Sequence, residues 1–194
     1  MKRIAVFASG GGSNAQKILQ YFRGHKTIEV GLVLSNKVNA GVFEHAKNFQ
    51  VHSILLSKSQ IINPTEILEL LDENNIDVIV LAGYLKKIPL ELIQTYPDRI
   101  LNIHPSLLPK YGGKGMYGIT VHKAVKLNKD LISGPTIHLV SEEYDKGRIL
   151  FQKKIPITIS HTTEQIAAEV LKVEHEEYAN VIEGYINQYY ERLD

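Results

Sequence analysis

Five short apolar runs recur through the first part of the chain, and each is about as long as a β-strand. They occupy residues 4–8, 30–34, 54–56, 78–82 and 100–103. Helical patterns lie between them, at residues 14–22, 42–48, 64–71 and 90–95. The apolar runs are nearly continuous rather than alternating, which is typical of strands covered on both faces. Strands alternating with helices predict an α/β fold with a doubly wound, mostly parallel sheet.

The pattern of the chain changes after residue 118. A short helix is predicted near residues 121–127, and two more strands are predicted at 136–140 and 149–159. The polar segment 141–148 separates these two strands. Because no internal repeat or linker interrupts the chain, we expect the later strands to extend the same sheet.

Thr162 and Gln165 have the spacing of a capping box, in which each residue satisfies a backbone amide of the other. This spacing predicts the start of a long C-terminal helix that ends at about Tyr190. The length of 194 residues suits one well-buried α/β domain and is short for two. We therefore expect a single domain over residues 1–194.

The composition excludes several classes of protein. A formal net charge of +1 gives no general attraction to nucleic acid or to an acidic membrane, and the lack of cysteine excludes disulfides and thiolate metal sites. The basic and apolar start of the chain resembles a signal peptide, but its apolar run stops at Ser9 and is too short for a signal core or a membrane span. We expect a cytoplasmic protein.

Residues 9–15, Ser-Gly-Gly-Gly-Ser-Asn-Ala, connect the first strand to the first helix. Amides at a helix N-terminus, with glycines that permit close approach, can bind an anion, and Ser13 and Asn14 can add side-chain donors. The spacing also fits the dinucleotide fingerprint, which makes an NAD-binding oxidoreductase a competing class. That class needs an acidic residue at the end of the second strand, where Asn36 stands instead. A monophosphate ester fits best, and a turn without a ligand is the plain structural alternative.

Asn102 and His104 stand two residues apart at the end of the fifth strand, in the segment Asn-Ile-His-Pro-Ser-Leu-Leu-Pro. In extended backbone, residues i and i+2 point to the same side. The pair therefore directs a neutral hydrogen-bond donor and a group that titrates near neutral pH towards one spot. Such a pair can hold a carbonyl oxygen and manage a proton, although an isolated Asn-x-His is more often an ordinary strand end.

Asp145 lies in the segment that joins the two late strands. Asp-Lys-Gly is common in ordinary turns, so Asp145 taken alone is more often structural than catalytic. If its carboxylate lay close to His104, it would favour the imidazolium and raise the pKa of His104. A proton would then be available at neutral pH.

These three segments together resemble the folate-dependent formyltransferases. The resemblance is carried by Gly-Gly-Ser-Asn after the first strand, by Asn-Ile-His-Pro-Ser-Leu-Leu-Pro, and by His-x-Val-x-x-x-x-Asp-x-Gly in the late turn. It runs through essentially the whole chain and implies a Rossmann-like formyltransferase fold. Within that family, the phosphate turn and the lack of room for an extra domain favour the phosphoribosylglycinamide formyltransferases.

The resemblance implies an activity in de novo purine biosynthesis. A formyl group would pass from the co-substrate 10-formyltetrahydrofolate to the amine of 5'-phosphoribosylglycinamide, giving the N-formyl product and tetrahydrofolate. Formyltetrahydrofolate hydrolase or another formyltransferase remains an alternative. An NAD-binding oxidoreductase and a non-catalytic module that binds a phosphate ligand are more remote alternatives.

The resemblance also implies roles for individual residues. The catalytic trio would be Asn102, His104 and Asp145. The phosphate and ribose of the substrate would contact Gly11, Gly12, Ser13, Asn14 and Glu174. The folate would contact Leu85, Lys86, Lys87, Ile88, Asn102, Val140, Ser141 and Asp145. Residues 1–100 would form the half that binds the ribonucleotide, and residues 101–194 the half that carries catalysis and folate binding.

The implied mechanism needs no metal. Asn102 and protonated His104 would stabilise a tetrahedral oxyanion, and Asp145 would hold His104 charged and relay a proton through water. The histidines show no spacing typical of a metal site, and His122 and His138 are expected to line the active site. The loop 111–118, with four glycines in eight residues, is either a disordered connection or a lid, and we predict a lid.

One departure from the family pattern concerns folate binding. An arginine that relatives often carry near position 60 is replaced by Gln60. For partners, we expect small molecules, namely glycinamide ribonucleotide and a reduced folate, and neither nucleic acid nor a membrane. The sequence leaves a homodimer open.

Overall fold

The computed structural model describes residues 1–192, which form two compact units. The first unit is Met1–Leu101 and the second is Asn102–Asp194. Residues 193 and 194, at the end of the predicted domain, lie outside the described residues. Strand β5, Ile100–His104, begins in the first unit and ends in the second. One domain over the whole chain, with two functional halves, stays a prediction.

The first unit is built on parallel strands in the order β3-β2-β1-β4. The strands are β1 (Lys2–Ala8), β2 (Ile28–Ser35), β3 (Ser53–Leu55) and β4 (Val78–Leu81). Residues 4–8 of the central strand β1 are completely buried, as the continuous apolar run predicts for a strand covered on both faces. The loops that follow β1 and β4 carry the predicted ligand-binding segments of this unit.

Five helices accompany these strands. They are α1 (Ser13–Tyr21), α2 (Val42–Asn48), α3 (Lys58–Ile62), α4 (Pro64–Glu73) and α5 (Leu90–Thr95). Helix α3 was not predicted, because it is a short helix without a single buried residue and so leaves no apolar stripe in the sequence. A capping box between Ser57 and Gln60 starts it. The side chain of Gln60, which replaces the expected arginine, thus accepts a hydrogen bond from the Ser57 N–H.

The second unit contains an antiparallel pair and a smaller two-stranded sheet. Its elements are α6 (Ile119–Leu127), β6 (Ile132–Ser133), β7 (Thr136–Leu139), β8 (Ile149–Gln152), β9 (Ile155–Pro156) and α7 (Thr163–Glu191). The prediction of one long strand over 149–159 is wrong. Lys153 and Lys154 interrupt the apolar run, and beyond them β9 pairs with β6 instead of continuing the pairing of β8 with β7.

Helix α7 confirms the predicted long C-terminal helix. Thr162 and Gln165 form the capping box that the sequence indicates. Ile166 and Val170 pack with Val125 of α6 and Ile157 in a hydrophobic cluster, so α7 is held by its apolar face. Among the described residues, no helix combines the length and the apolar character needed to cross a bilayer.

Candidate active site

Side chains from three separate segments of the second unit meet in a buried polar cluster. Strand β5 supplies Asn102 and His104, β7 supplies His138, and the loop after β7 supplies Asp145. His104 Nδ1 lies 3.7 Å from Asp145 Oδ2, and His138 Nε2 lies 3.6 Å from Asp145 Oδ1. Both histidines are less than 5% exposed. The structure thus brings the predicted catalytic trio together and adds His138 to it.

His138 determines how the amide of Asn102 is oriented. His138 Nδ1 donates a hydrogen bond to the carbonyl oxygen of Leu139 at 2.8 Å, because a carbonyl can only accept. In the neutral ring, Nε2 is then an acceptor, and Asn102 Nδ2 donates to it at 3.1 Å. One amide hydrogen of Asn102 is used in this way. The second hydrogen can be donated to the oxygen of a ligand.

The pKa of His104 is lowered, which corrects the expectation of a raised value. Burial is the largest cause, since it disfavours the charged ring, and the electrostatic effect of His138 acts in the same direction. The Asp145 carboxylate and the hydrogen bond to the Tyr111 carbonyl both act to raise it. The carboxylate is near His104 as expected, but it only partly offsets the burial.

Asp145 is held as a carboxylate by its surroundings. Burial alone would raise its pKa, but His138, the Gly113 N–H and His104 together bring the pKa below its ordinary value. The Gly113 N–H donates to Asp145 Oδ2 at 2.8 Å. The backbone of Asp145 has a positive φ of 56°, a conformation that aspartate tolerates better than most residues. The turn therefore presents an ionised carboxylate to the two histidines.

His122 is the second histidine that the sequence placed near the site. It is buried on α6, and burial followed by the charge of His104 lowers its pKa to about 4. Within residues 1–192, its Nδ1 atom has no hydrogen-bond partner. The same described range contains no group of three or more acidic or histidine side chains suited to hold a metal ion.

The predicted phosphate turn lies in the first unit, between β1 and α1. Gly12 precedes the helix with a φ of 75°, and a Cβ atom there would lie 2.8 Å from Val42 Cβ. Glycine is therefore required at this position both for its backbone conformation and for its close contact with α2. The first amides of a helix have no partner within the helix and point along its axis, so the turn has the geometry of an anion site.

Ser9 connects this turn to the predicted folate segment. Its hydroxyl donates to Asn36 Oδ1 at 2.6 Å and accepts from the Leu85 N–H at 2.9 Å. Asn36, which stands where a dinucleotide site needs an acid, is thus engaged with the turn itself. Since the Leu85 N–H is already donated to Ser9, the backbone atom that Leu85 can offer a pterin is its carbonyl.

The other predicted folate residues lie in two loops. In the first unit, Lys86 and Lys87 are exposed and Ile88 is buried in the loop after β4. In the second unit, Val140 and Ser141 follow β7 and are partly exposed, and the Ser141 hydroxyl donates to the Glu143 carbonyl. All of these residues except Ile88 are at least partly exposed, and their folate contacts stay predictions.

Glu174 is buried on α7, where it raises the pKa of the neighbouring Tyr178 in addition to the larger effect of burial. A carboxylate is therefore present on the buried face of the helix. Its contact with the ribose or with the phosphate-loop amides stays a prediction.

Comparison with known families identifies the class of protein. The model of the formyl transferase family matches residues 2–182. The chain belongs to the formyl transferase family. The resemblance read from the three sequence motifs is thereby confirmed.

Several relatives are similar over most of this chain. The chloroplastic phosphoribosylglycinamide formyltransferase of Arabidopsis thaliana is 46% identical over 187 residues, which cover 93% of this chain and 64% of the plant protein. The chain thus spans less than two thirds of that relative's length. The phosphoribosylglycinamide formyltransferase of Bacillus subtilis is 36% identical over 187 residues, which cover 94% of this chain and 93% of the relative.

A solved structure supports the same assignment. Glycinamide ribonucleotide transformylase 1 from Geobacillus kaustophilus matches with a TM-score of 0.85 at 35% identity, covering 94% of this chain and 97% of that one. This similarity confirms the predicted fold class, an α/β formyltransferase fold with a mostly parallel sheet and a long C-terminal helix.

Two backbone contacts of the site were missed by reasoning from the sequence. The Tyr111 carbonyl accepts from His104, and the Gly113 N–H donates to Asp145. Every residue has these backbone groups, so no residue type signals them. The density of glycines in 111–118 is the available signal, and it predicts a lid rather than these two contacts. Opening of this loop stays a prediction.

Proposed function

We propose that this protein transfers the formyl group of 10-formyltetrahydrofolate to the amine of 5'-phosphoribosylglycinamide, in de novo purine biosynthesis. The observation that carries the proposal is the cluster of Asn102, His104, His138 and Asp145, which combines an amide that has one hydrogen left to donate with an imidazole beside a carboxylate. The names of the relatives support the same acceptor and the same reaction.

In the proposed reaction, the glycinamide amine attacks the formyl carbon and an oxyanion forms on the formyl oxygen. The second amide hydrogen of Asn102 donates to this oxyanion. Such a donor contributes about 3–4 kcal/mol when it is well placed in a site that excludes water. Because His138 already orients the Asn102 amide, little reorganisation is needed as the charge develops.

His104 manages the proton. Its lowered pKa favours the neutral ring before attack, and Nδ1 is then the free acceptor. As the amine attacks, its nitrogen becomes cationic and releases a proton, which Nδ1 accepts directly or through water. The resulting imidazolium is stabilised by Asp145 and by the oxyanion, and it returns the proton to N10 as the carbon–nitrogen bond breaks.

The substrate-binding roles follow the family motifs. The substrate phosphate is assigned to Gly11, Gly12, Ser13 and Asn14, and its ribose or the phosphate-loop amides to Glu174. The reduced folate is assigned to residues 85–88 and 140–145. No metal is required by this mechanism. A homodimer, a cytoplasmic location and the lack of nucleic-acid or membrane partners stay predictions; the Arabidopsis relative is described as chloroplastic.

The test is an assay with both substrates that follows deformylated folate. The proposal predicts turnover that requires glycinamide ribonucleotide and that falls about 10²- to 10³-fold in an Asn102→Ala variant. Deformylation without an acceptor would favour the hydrolase. Absence of turnover, combined with binding of the ribonucleotide, would favour a non-catalytic module. A rise in melting temperature with NAD and not with the ribonucleotide would favour the oxidoreductase.

A further inference from the structure

The first residues of the glycine-rich loop contact both titrating members of the trio. The Tyr111 carbonyl oxygen accepts a hydrogen bond from His104 Nε2 at 2.9 Å, and the Gly113 N–H donates to Asp145 Oδ2 at 2.8 Å. Since a carbonyl only accepts, Nε2 carries the hydrogen and Nδ1 faces Asp145. Tyr111 therefore determines which nitrogen of His104 exchanges a proton.

The backbone of Tyr111 is held in an unfavourable conformation. Its φ is 59°, in the left-handed region that residues with a side chain rarely adopt. Such a conformation persists only where the surroundings fix it. The contacts of the Tyr111 side chain therefore hold its carbonyl in position.

The side chain of Tyr111 is anchored at both its ring and its hydroxyl. The ring packs against a hydrophobic cluster formed by Val125, Ile157, Ile166 and Val170. The hydroxyl donates to Asp130 Oδ2 and accepts from Asn128 Nδ2, each at 2.8 Å. We call these two polar contacts the Tyr111 anchor. Neither Asp130 nor Asn128 contacts the trio through any hydrogen bond described for residues 1–192.

Gly112, the residue after Tyr111, packs too closely against its neighbours for the loop backbone to shift there. A Cβ atom on Gly112 would lie 2.6 Å from Leu108 Cδ2 and 3.1 Å from Asp145 Cβ. The loop therefore runs directly against Asp145. A shift of Tyr111 would be transmitted to the Gly113 N–H as well as to its own carbonyl.

We propose that Tyr111 is a positioning residue, whose anchored side chain holds its carbonyl on His104 Nε2 and thereby directs the proton to Nδ1. This inference rests on the proposed function, because His104 is the catalytic group that Tyr111 serves. The residue touches no reacting atom. It acts through His104 and, by way of Gly113, through Asp145.

Several groups besides Tyr111 face His104 and influence its titration. They are Asp145 on the late turn, His138 on β7 and His122 on α6. None of these three contacts the Tyr111 anchor through a described hydrogen bond. A change confined to the anchor therefore leaves them in place.

The experiment uses Tyr111→Phe, which keeps the ring and removes the two polar contacts. Nitrogen-15 NMR of the His104 ring reports both the tautomer and the pKa. In the variant, we expect a smaller fraction of the Nε2–H tautomer and a further fall in the pKa of His104, since the bond to the Tyr111 carbonyl raises it. We expect kcat to fall about five-fold, as for loss of one hydrogen bond, with both KM values unchanged.

Three further variants separate positioning from stability. Tyr21→Phe changes an exposed tyrosine of α1 in the first unit and is expected to leave the NMR signals and kcat unchanged. Asp130→Asn keeps an oxygen that can accept from Tyr111, so it should resemble the wild type. Asp130→Ala removes the Asp130 contact of the anchor together with the ion pair to Lys110, so it should shift the His104 tautomer and pKa in the same direction as Tyr111→Phe. It serves as the test variant if Tyr111→Phe does not fold.

An unchanged tautomer and pKa of His104 in a folded Tyr111→Phe or Asp130→Ala variant would overturn the inference, whatever happened to its melting temperature. An equal effect of Tyr21→Phe would overturn it too. The NMR measurement needs no substrate. The two claims can therefore fail separately. If the protein did not transfer a formyl group, the proposed function would be refuted, and NMR would still show whether Tyr111 sets the tautomer of His104.

Discussion

The phosphate turn of the first unit and the polar cluster of the second are built in opposite ways. The turn is one continuous segment, and its exposed residues Gly10, Gly11 and Ser13 present backbone groups to solvent. The cluster joins residues from 102 to 145, and its histidines are buried. One region depends on backbone conformation, and the other depends on tertiary packing and on burial of titrating groups.

This difference predicts different responses to mutation. Substitutions in the turn should alter the affinity for an anionic ligand without changing the rate of the chemical step. Changes in the cluster should alter the rate or the dependence on pH, because burial makes each missing donor or charge more costly there.

The largest effect is expected from Asn102→Ala. Loss of one oxyanion donor should reduce kcat by about 10²- to 10³-fold, with little change in either KM. Asn180→Ala is the matched control, because Asn180 is an exposed amide on α7 that donates only to the Glu176 carbonyl among the described bonds. Steady-state kinetics of both variants provide the measurement. A ten-fold rise in KM at constant kcat would mean that Asn102 binds the substrate and does not stabilise the transition state.

A smaller effect is expected from the pH dependence of stability. The pKa of His122 is about 4 in the folded protein, below the value of 6.5 expected when the chain is unfolded. The unfolded chain therefore binds more protons between these values, and stability is lost as the pH falls through this window. From pH 7 to pH 5, the contribution of His122 to this loss is roughly 2 kcal/mol.

Urea unfolding of the wild type and His122→Phe at both pH values measures that contribution. The variant should lose less free energy of unfolding between pH 7 and pH 5 than the wild type does. His52→Gln, at an exposed position of the first unit, is the control and should behave like the wild type. Equal losses in His122→Phe and the wild type would show that His122 is not buried in its neutral form.

The sequence predicts the structure correctly where the residues of one local segment determine it. Helices α2 and α5 match their predicted bounds, and the motif residues Asn102, His104 and Asp145 meet in one cluster. Prediction from the sequence fails where a property depends on opposing effects of the tertiary structure, such as burial and a neighbouring charge. The pKa of His104 was expected to rise with Asp145 nearby, but burial, which a sequence does not quantify, has the larger effect. Tyr111 contributes through its carbonyl, which no motif reveals.

The smallest effect is expected from the turn. Gly12→Ala forces a side chain into a positive φ and against Val42, whereas Gly10→Ala meets no atom within 4 Å. We expect Gly12→Ala to raise the KM for glycinamide ribonucleotide about ten-fold at nearly constant kcat. Displaced backbone amides bind the phosphate more weakly, and they do so equally in the ground state and in the transition state. Gly10→Ala should change KM less than two-fold by the same reasoning. A lowered kcat in Gly12→Ala would contradict the separation of the two regions.

The most direct measurement is an NMR titration of the His104 ring in the wild type and in Asp145→Asn. We predict a wild-type His104 pKa below the ordinary value of histidine and a still lower pKa in the variant, because Asp145 favours the imidazolium against the effect of burial. In Asn102→Ala the pKa should stay at the wild-type value. An unchanged or raised pKa in Asp145→Asn would show that the carboxylate does not support the charge on His104, and the proposed route of the proton would be wrong.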